Sequence, residues 1–181
     1  MPALTRAFVR GQLALEPLEH AMLRELHLVS GTLKPTVARA LAASQLPRLE
    51  RCALRFPKIS TASLLGLVKA LAQLRAPQLR EVHLGTLRGP DQIRDVVNEI
   101  AQRGRPESWT VIAFTGALGG EDALAGVLDA ITPPAGIQIA LPLEATYPRD
   151  LALALRRRKK WLCDLSEIGF LPCDPRAYAA W

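Results

Sequence analysis

The sequence predicts an α/β solenoid of about six to seven βα units, with a parallel sheet on one face and helices on the other. Three observations lead there. A short apolar pattern, LxxLxL, recurs along the chain at nearly constant intervals. Each interval carries apolar residues at helical spacing. Finally, 181 residues with 49% hydrophobic and 22% charged side chains suit one domain spanning 1–181, and they exclude collagen-like, low-complexity and disulfide-miniature chains.

The pattern is clearest in Leu23-Arg-Glu-Leu26-His-Leu28, Leu49-Glu-Arg-Cys52-Ala-Leu54 and Leu79-Arg-Glu-Val82-His-Leu84. It continues as Trp109-Thr-Val-Ile112-Ala-Phe114, as Gly136 followed by Ile139-Ala-Leu141, and as Leu165-Ser-Glu-Ile168-Gly-Phe170. Leu4-Thr-Arg-Ala7-Phe-Val9 reads as a shortened first copy. Starts at 4, 23, 49, 79, 109, 136 and 165 give intervals of 19, 26, 30, 30, 27 and 29 residues. The last three residues of each copy alternate apolar, outward, apolar, as a short half-buried strand requires.

Between the copies the period changes to that of a helix. Leu64, Leu67, Val68 and Leu71 form one stripe after Ser60 or Thr61, either of which suits an N-cap. Ile93, Val96, Val97, Ile100 and Ala101 form a second, stopped by Gly104, and Leu124, Val127, Leu128 and Ile131 a third, ended by Pro133-Pro134. Shorter helices are expected from Pro35 and Pro148. Neither a strand nor a helix alone buries its apolar side; stacking the units buries both. A doubly wound α/β domain also alternates strands and helices, but it has no reason to reuse one unit length.

This array resembles the leucine-rich-repeat family, in its longer, helix-containing, ribonuclease-inhibitor-like class, from about Leu4 to Phe170. The resemblance implies a curved ribbon with one bare sheet face and a role in binding proteins. The family's Asn or Cys three residues past the last strand leucine is replaced by Gly31, Pro57, Leu87, Ala117 and Glu144. The bends must therefore be held in another way.

Outward positions of the early copies are rich in Arg and His, and those of the later copies are nearly uncharged. Arg24, His27, Arg51, Arg55, Arg80 and His83 are the expected partner-binding residues, on a face exposed to solvent. Their partner is expected to be a protein with an acidic patch, because the chain carries a net charge of +6. On this reading, reversing Arg51 and Arg80 together abolishes binding and leaves the thermal midpoint nearly unchanged. The alternative is a nucleic acid or anionic surface held by Arg156, Arg157, Arg158, Lys159 and Lys160, although cations there also complement a helix C-terminus. Residues 1–108 hold 16 basic and 9 acidic side chains against 1 and 5 in 109–155, a polarity that favours end-to-end self-association or partner docking.

No catalytic constellation is evident, and no cofactor or metal is expected. Cys163 and Cys173 lack a metal-ligand spacing, and Cys52 takes an inward strand position. His27 and His83 stand two rungs apart, about 10 Å, too far for one ion. Thr115–Asp122 lacks the Gly-Lys-Ser/Thr ending of a phosphate loop. An odd number of cysteines, 3, with no secretory or membrane-spanning pattern, leads to a cytoplasmic expectation.

Overall fold

The computed structural model describes residues 4–85, 89–103, 106–115, 121–142 and 170–173. The strands are β1 (Arg6–Arg10), β2 (Glu25–Val29), β3 (Arg51–Arg55), β4 (Glu81–Gly85), β5 (Val111–Thr115), β6 (Gln138–Pro142) and β7 (Phe170–Cys173). The helices are α1 (Pro35–Ala43), α2 (Thr61–Gln73), α3 (Pro90–Arg103) and α4 (Glu121–Ala130). The strands form one parallel sheet in sequence order, β1 to β7, so each described strand lies beside its predecessor in the chain. No helix among the described residues is long and apolar enough to cross a membrane.

Each strand up to β6 lies where the LxxLxL pattern places it, and the pairing is in register from copy to copy. Leu26, Cys52, Val82, Ile112 and Ile139 stand side by side, as do Leu28, Leu54, Leu84 and Phe114. These residues are buried in a continuous core with Val37 and Leu41 of α1, Leu64, Leu67, Val68 and Leu71 of α2, Ile93, Val96, Val97 and Ile100 of α3, and Val127 and Leu128 of α4. These residues of the stripes read from the sequence are thus buried, whereas Ala101, at the end of the second stripe, is exposed. Ser60 caps α2, its Oγ accepting from the Ser63 amide at 3.2 Å, and Pro35 and Pro90 open α1 and α3.

The last strand differs from the expected copy. Ile139 pairs with Phe170, which takes the fourth place of the pattern instead of the sixth. The copy starting at Leu165 is therefore shifted by two residues. A two-residue slip keeps every side chain on its own face, so alternation alone does not fix it. The helix expected from Pro148 lies outside the described residues. The first interval is too short for a helix; Leu13 is buried there and Leu15 and Leu18 pack against the core in its place.

The bends are held by backbone and by one serine. A four-residue turn precedes each of β3, β4, β5 and β6, with the amides of Leu49, Leu79, Trp109 and Ile137 donating to the carbonyls of Leu46, Ala76, Pro106 and Pro134. On the return from the helices, Glu19 bridges Gln45 and Gln45 bridges Arg75 in a second, minimal parallel ladder. Ser44 is buried beside it, its Oγ accepting from the Leu18 amide at 2.8 Å and donating to the Ala40 carbonyl at 2.7 Å. After β3, buried Phe56 and Ile59 anchor the chain. Replacing Ser44 with Ala strands the Leu18 amide, and should cost about 1–3 kcal/mol in a denaturant titration.

Candidate functional site

The outward face of the sheet is organised in columns, one residue per strand. The first runs Arg24, Glu50, Arg80, Thr110, joined by backbone bonds from Glu50 to Arg24, Arg80 to Glu50 and Thr110 to Arg80. The second runs Arg6, Glu25, Arg51, Glu81, Val111, Gln138. The third is Phe8, His27, Ala53, His83, Ala113, Ala140, and the fourth is Arg10, Val29, Arg55, Gly85, Thr115.

Both charged columns alternate in sign. Arg-Glu at 24 and 25 returns at 80 and 81, but the copy between them is reversed to Glu-Arg at 50 and 51. An in-register parallel sheet places these residues about 4.8 Å apart, where like charges repel and opposite charges pair. Accordingly Arg6 Nε lies 3.1 Å from Glu25 Oε2, Arg51 Nη1 3.9 Å from Glu25 Oε1, and Arg51 Nε 2.7 Å from Glu81 Oε2. Arg24 and Glu50 pair at 3.6 Å with both side chains about half exposed. The last pair is worth at most about 1 kcal/mol. The column through Arg51 matters more, because the Glu25 side chain is only 14% exposed and Arg51 compensates two carboxylates.

The histidines depart from expectation. His27 and His83 lie on the outward face but are buried, at 4% and 3% exposure, and Ala113 and Ala140 beyond them are buried as well. Within the middle of the third column only Ala53 is partly exposed, so the two histidines offer a partner almost no surface. His83 Nε2 is 3.2 Å from Glu81 Oε2, and His27 Nε2 is 3.7 Å from Glu25 Oε2. Burial holds both imidazoles below their ordinary range, opposed by the adjacent carboxylates and reinforced by Arg51. Burial alone would raise Glu81, but hydrogen bonds from Arg51 and His83 bring its carboxyl below the usual value. Phe8 stacks obliquely beside His27, with ring centroids 6.4 Å apart.

Of the six expected partner-binding residues, Arg24, Arg55 and Arg80 are exposed, Arg51 is half-buried in the ion-pair column, and His27 and His83 are enclosed. Arg156, Arg157, Arg158, Lys159 and Lys160 lie outside the described residues. Reversal of Arg51 is thus no neutral surface change, as the sequence alone suggests, because it would face Glu25 and Glu81 with a third carboxylate. Arg6, Arg10 and Phe8 complete the exposed area, and sequence reasoning does not select them as site residues. They lie on the edge strand, within and just after the shortened first copy of the repeat.

The remaining chemistry is sparse. No group of three His, Cys, Asp or Glu side chains among the described residues could hold a metal ion. Cys52 is buried with its thiol pushed up to about 12, which leaves no thiolate for nucleophilic attack. A shallow cleft of about 480 Å³ at the ends of β1 and β2 is lined by Arg10, Gln12, Ser30, Thr32 and Pro57, among others. No family model, curated protein or solved structure matches the chain.

Two outcomes follow from this geometry. Arg51→Glu should destabilise by about 1–3 kcal/mol, because it breaks a partly buried column, whereas Arg80→Glu at an exposed rim should change stability by less than about 0.5 kcal/mol. Chemical denaturation of the two variants compares them directly. The histidines set a pH window. A base whose folded value is lowered binds its proton more weakly when folded, so its favourable contribution is present above about 6.5 and is lost as pH falls toward the folded-state value. The thermal midpoint should fall between about pH 7.5 and pH 5.5, with a flatter slope in His83→Gln. An identical slope in that variant would show that His83 does not set the window.

Proposed function

We propose that this chain is a leucine-rich-repeat-like solenoid, of the ribonuclease-inhibitor-like class, acting in the cytoplasm as a non-catalytic module that binds an acidic protein partner. The recurring unit, the sequential parallel strands and the shared core of all four described helices support the architectural part. The observation that carries the functional part is an imbalance of charge on the exposed rims. Glu25, Glu50 and Glu81 are committed to ion pairs within the sheet, while exposed Arg10, Arg55 and Arg80 have no acidic partner among the described residues. Residues 1–80 hold 12 basic and 4 acidic side chains, so the excess belongs to this part of the chain. Cations without internal partners steer and orient an acidic surface at little cost to the fold.

The double variant Arg55→Glu with Arg80→Glu should retain its thermal midpoint and lose at least about tenfold in affinity for a partner captured from the native host. Capture of the same protein with unchanged affinity would refute the choice of surface. The alternative, nucleic acid or an anionic surface held by the 156–160 run, separates in a salt titration. Phosphate binding falls linearly on a logarithmic scale with ionic strength and survives the double change, which leaves residues 156–160 unaltered.

A further inference from the structure

Building on the protein-binding reading, we infer that the free edge of β1 is a docking site for an extended acidic segment of another protein, added to the sheet as one more strand. β1 ends the strand order and pairs only with β2 among the described residues. The Glu25 amide donates to the Thr5 carbonyl at 3.1 Å and the Gly11 amide to the Val29 carbonyl at 3.0 Å. Alternation along a strand turns the backbone groups of Ala7 and Val9 toward β2 as well. The N–H and C=O groups of Arg6, Phe8 and Arg10 consequently point to the open side, a row of main-chain donors and acceptors ready for another chain.

The side chains define the occupant. The exposed large hydrophobic residues among those described are Leu4, Phe8 and Val9, at 56%, 50% and 40%, and all three lie on or beside this edge. Arg6 and Arg10 flank Phe8 on the outward face, and Arg6 keeps 68% of its side chain exposed while touching Glu25. Within the sheet the column alternates Arg6, Glu25, Arg51, Glu81, so the next position beyond Arg6 calls for a carboxylate. Arg10 has no acidic partner among the described residues, and the position beside it calls for another. A second copy of this chain fits poorly. Antiparallel pairing about Phe8 sets Arg6 against Arg10, and parallel in-register pairing sets each arginine against itself. The fitting segment carries acidic, apolar, acidic side chains at alternate positions.

A capped, fluorescein-labelled heptapeptide with the sequence threonine, glutamate, valine, phenylalanine, valine, glutamate, threonine is the probe. Its symmetry serves either strand direction. Fluorescence anisotropy with the full chain should show saturable binding, weakened at least about tenfold when lysine replaces both glutamates and when the central five residues are N-methylated. Arg10→Glu should weaken the glutamate peptide by a similar factor and strengthen the lysine peptide, while Arg10→Lys retains the original preference. Circular dichroism confirms that each variant is folded. No binding of the glutamate peptide, or equal binding of its methylated form, overturns strand addition. A stable dimer by sedimentation that Phe8→Asp converts to monomer overturns the choice of occupant. Either failure is distinguishable from failure of the protein-binding reading, which is tested separately by partner loss in Arg55→Glu with Arg80→Glu.

Discussion

In-register parallel pairing is the constraint on which the rest of this structure depends. It sets every residue beside its counterpart in the neighbouring unit, so a preference satisfied once is imposed again on each strand. For the inward positions the demand is simple, and Leu, Cys, Val and Ile from successive units share one column of the core. For ionised outward positions it is contradictory, because faithful repetition would line up like charges. The reversal of Arg-Glu to Glu-Arg at residues 50 and 51 resolves the contradiction, converting repulsion between neighbours into the ion pairs around Arg51.

The same geometry explains how the bends hold without a ladder of asparagine side chains. Turns of the type Leu46–Leu49 and Ala76–Leu79 are self-contained, each closing on its own carbonyl before its strand begins. The returns at Glu19, Gln45 and Arg75 borrow from one another through the backbone, and Ser44 completes the pattern by tying the Leu18 amide to the end of α1. Serine can do this because its hydroxyl both accepts and donates within one buried site. Stability therefore passes between units at two levels, through the main sheet and through this narrow second contact.

Much of the fold was legible in the sequence because leucine spacing and helical period report directly on burial. The positions of the first six strands and the apolar stripes of α2, α3 and α4 follow from that signal alone. The shift of the last strand was not legible, since a slip of two residues preserves alternation. The site was less legible than the fold. Arg55 is exposed as its strand parity requires, and Arg24 and Arg80, which precede their strands, are exposed as well, but outward parity does not imply access to solvent, and His27 and His83 are enclosed. The role of Arg51 is visible only when the copies are read down a column as well as along the chain. The importance of Arg6, Phe8 and Arg10 comes from their position at the end of the strand order, which no local pattern encodes.

The alternation of sign has an evolutionary corollary. Although the backbone repeats with every unit, the polar columns repeat only with every second one, so the smallest increment that preserves both is a doublet. Loss or insertion of a single unit between Glu25 and Glu81 would leave the leucine columns intact but bring two arginines or two glutamates face to face. Lineages descended from this scaffold are expected to lengthen that segment by even numbers of units.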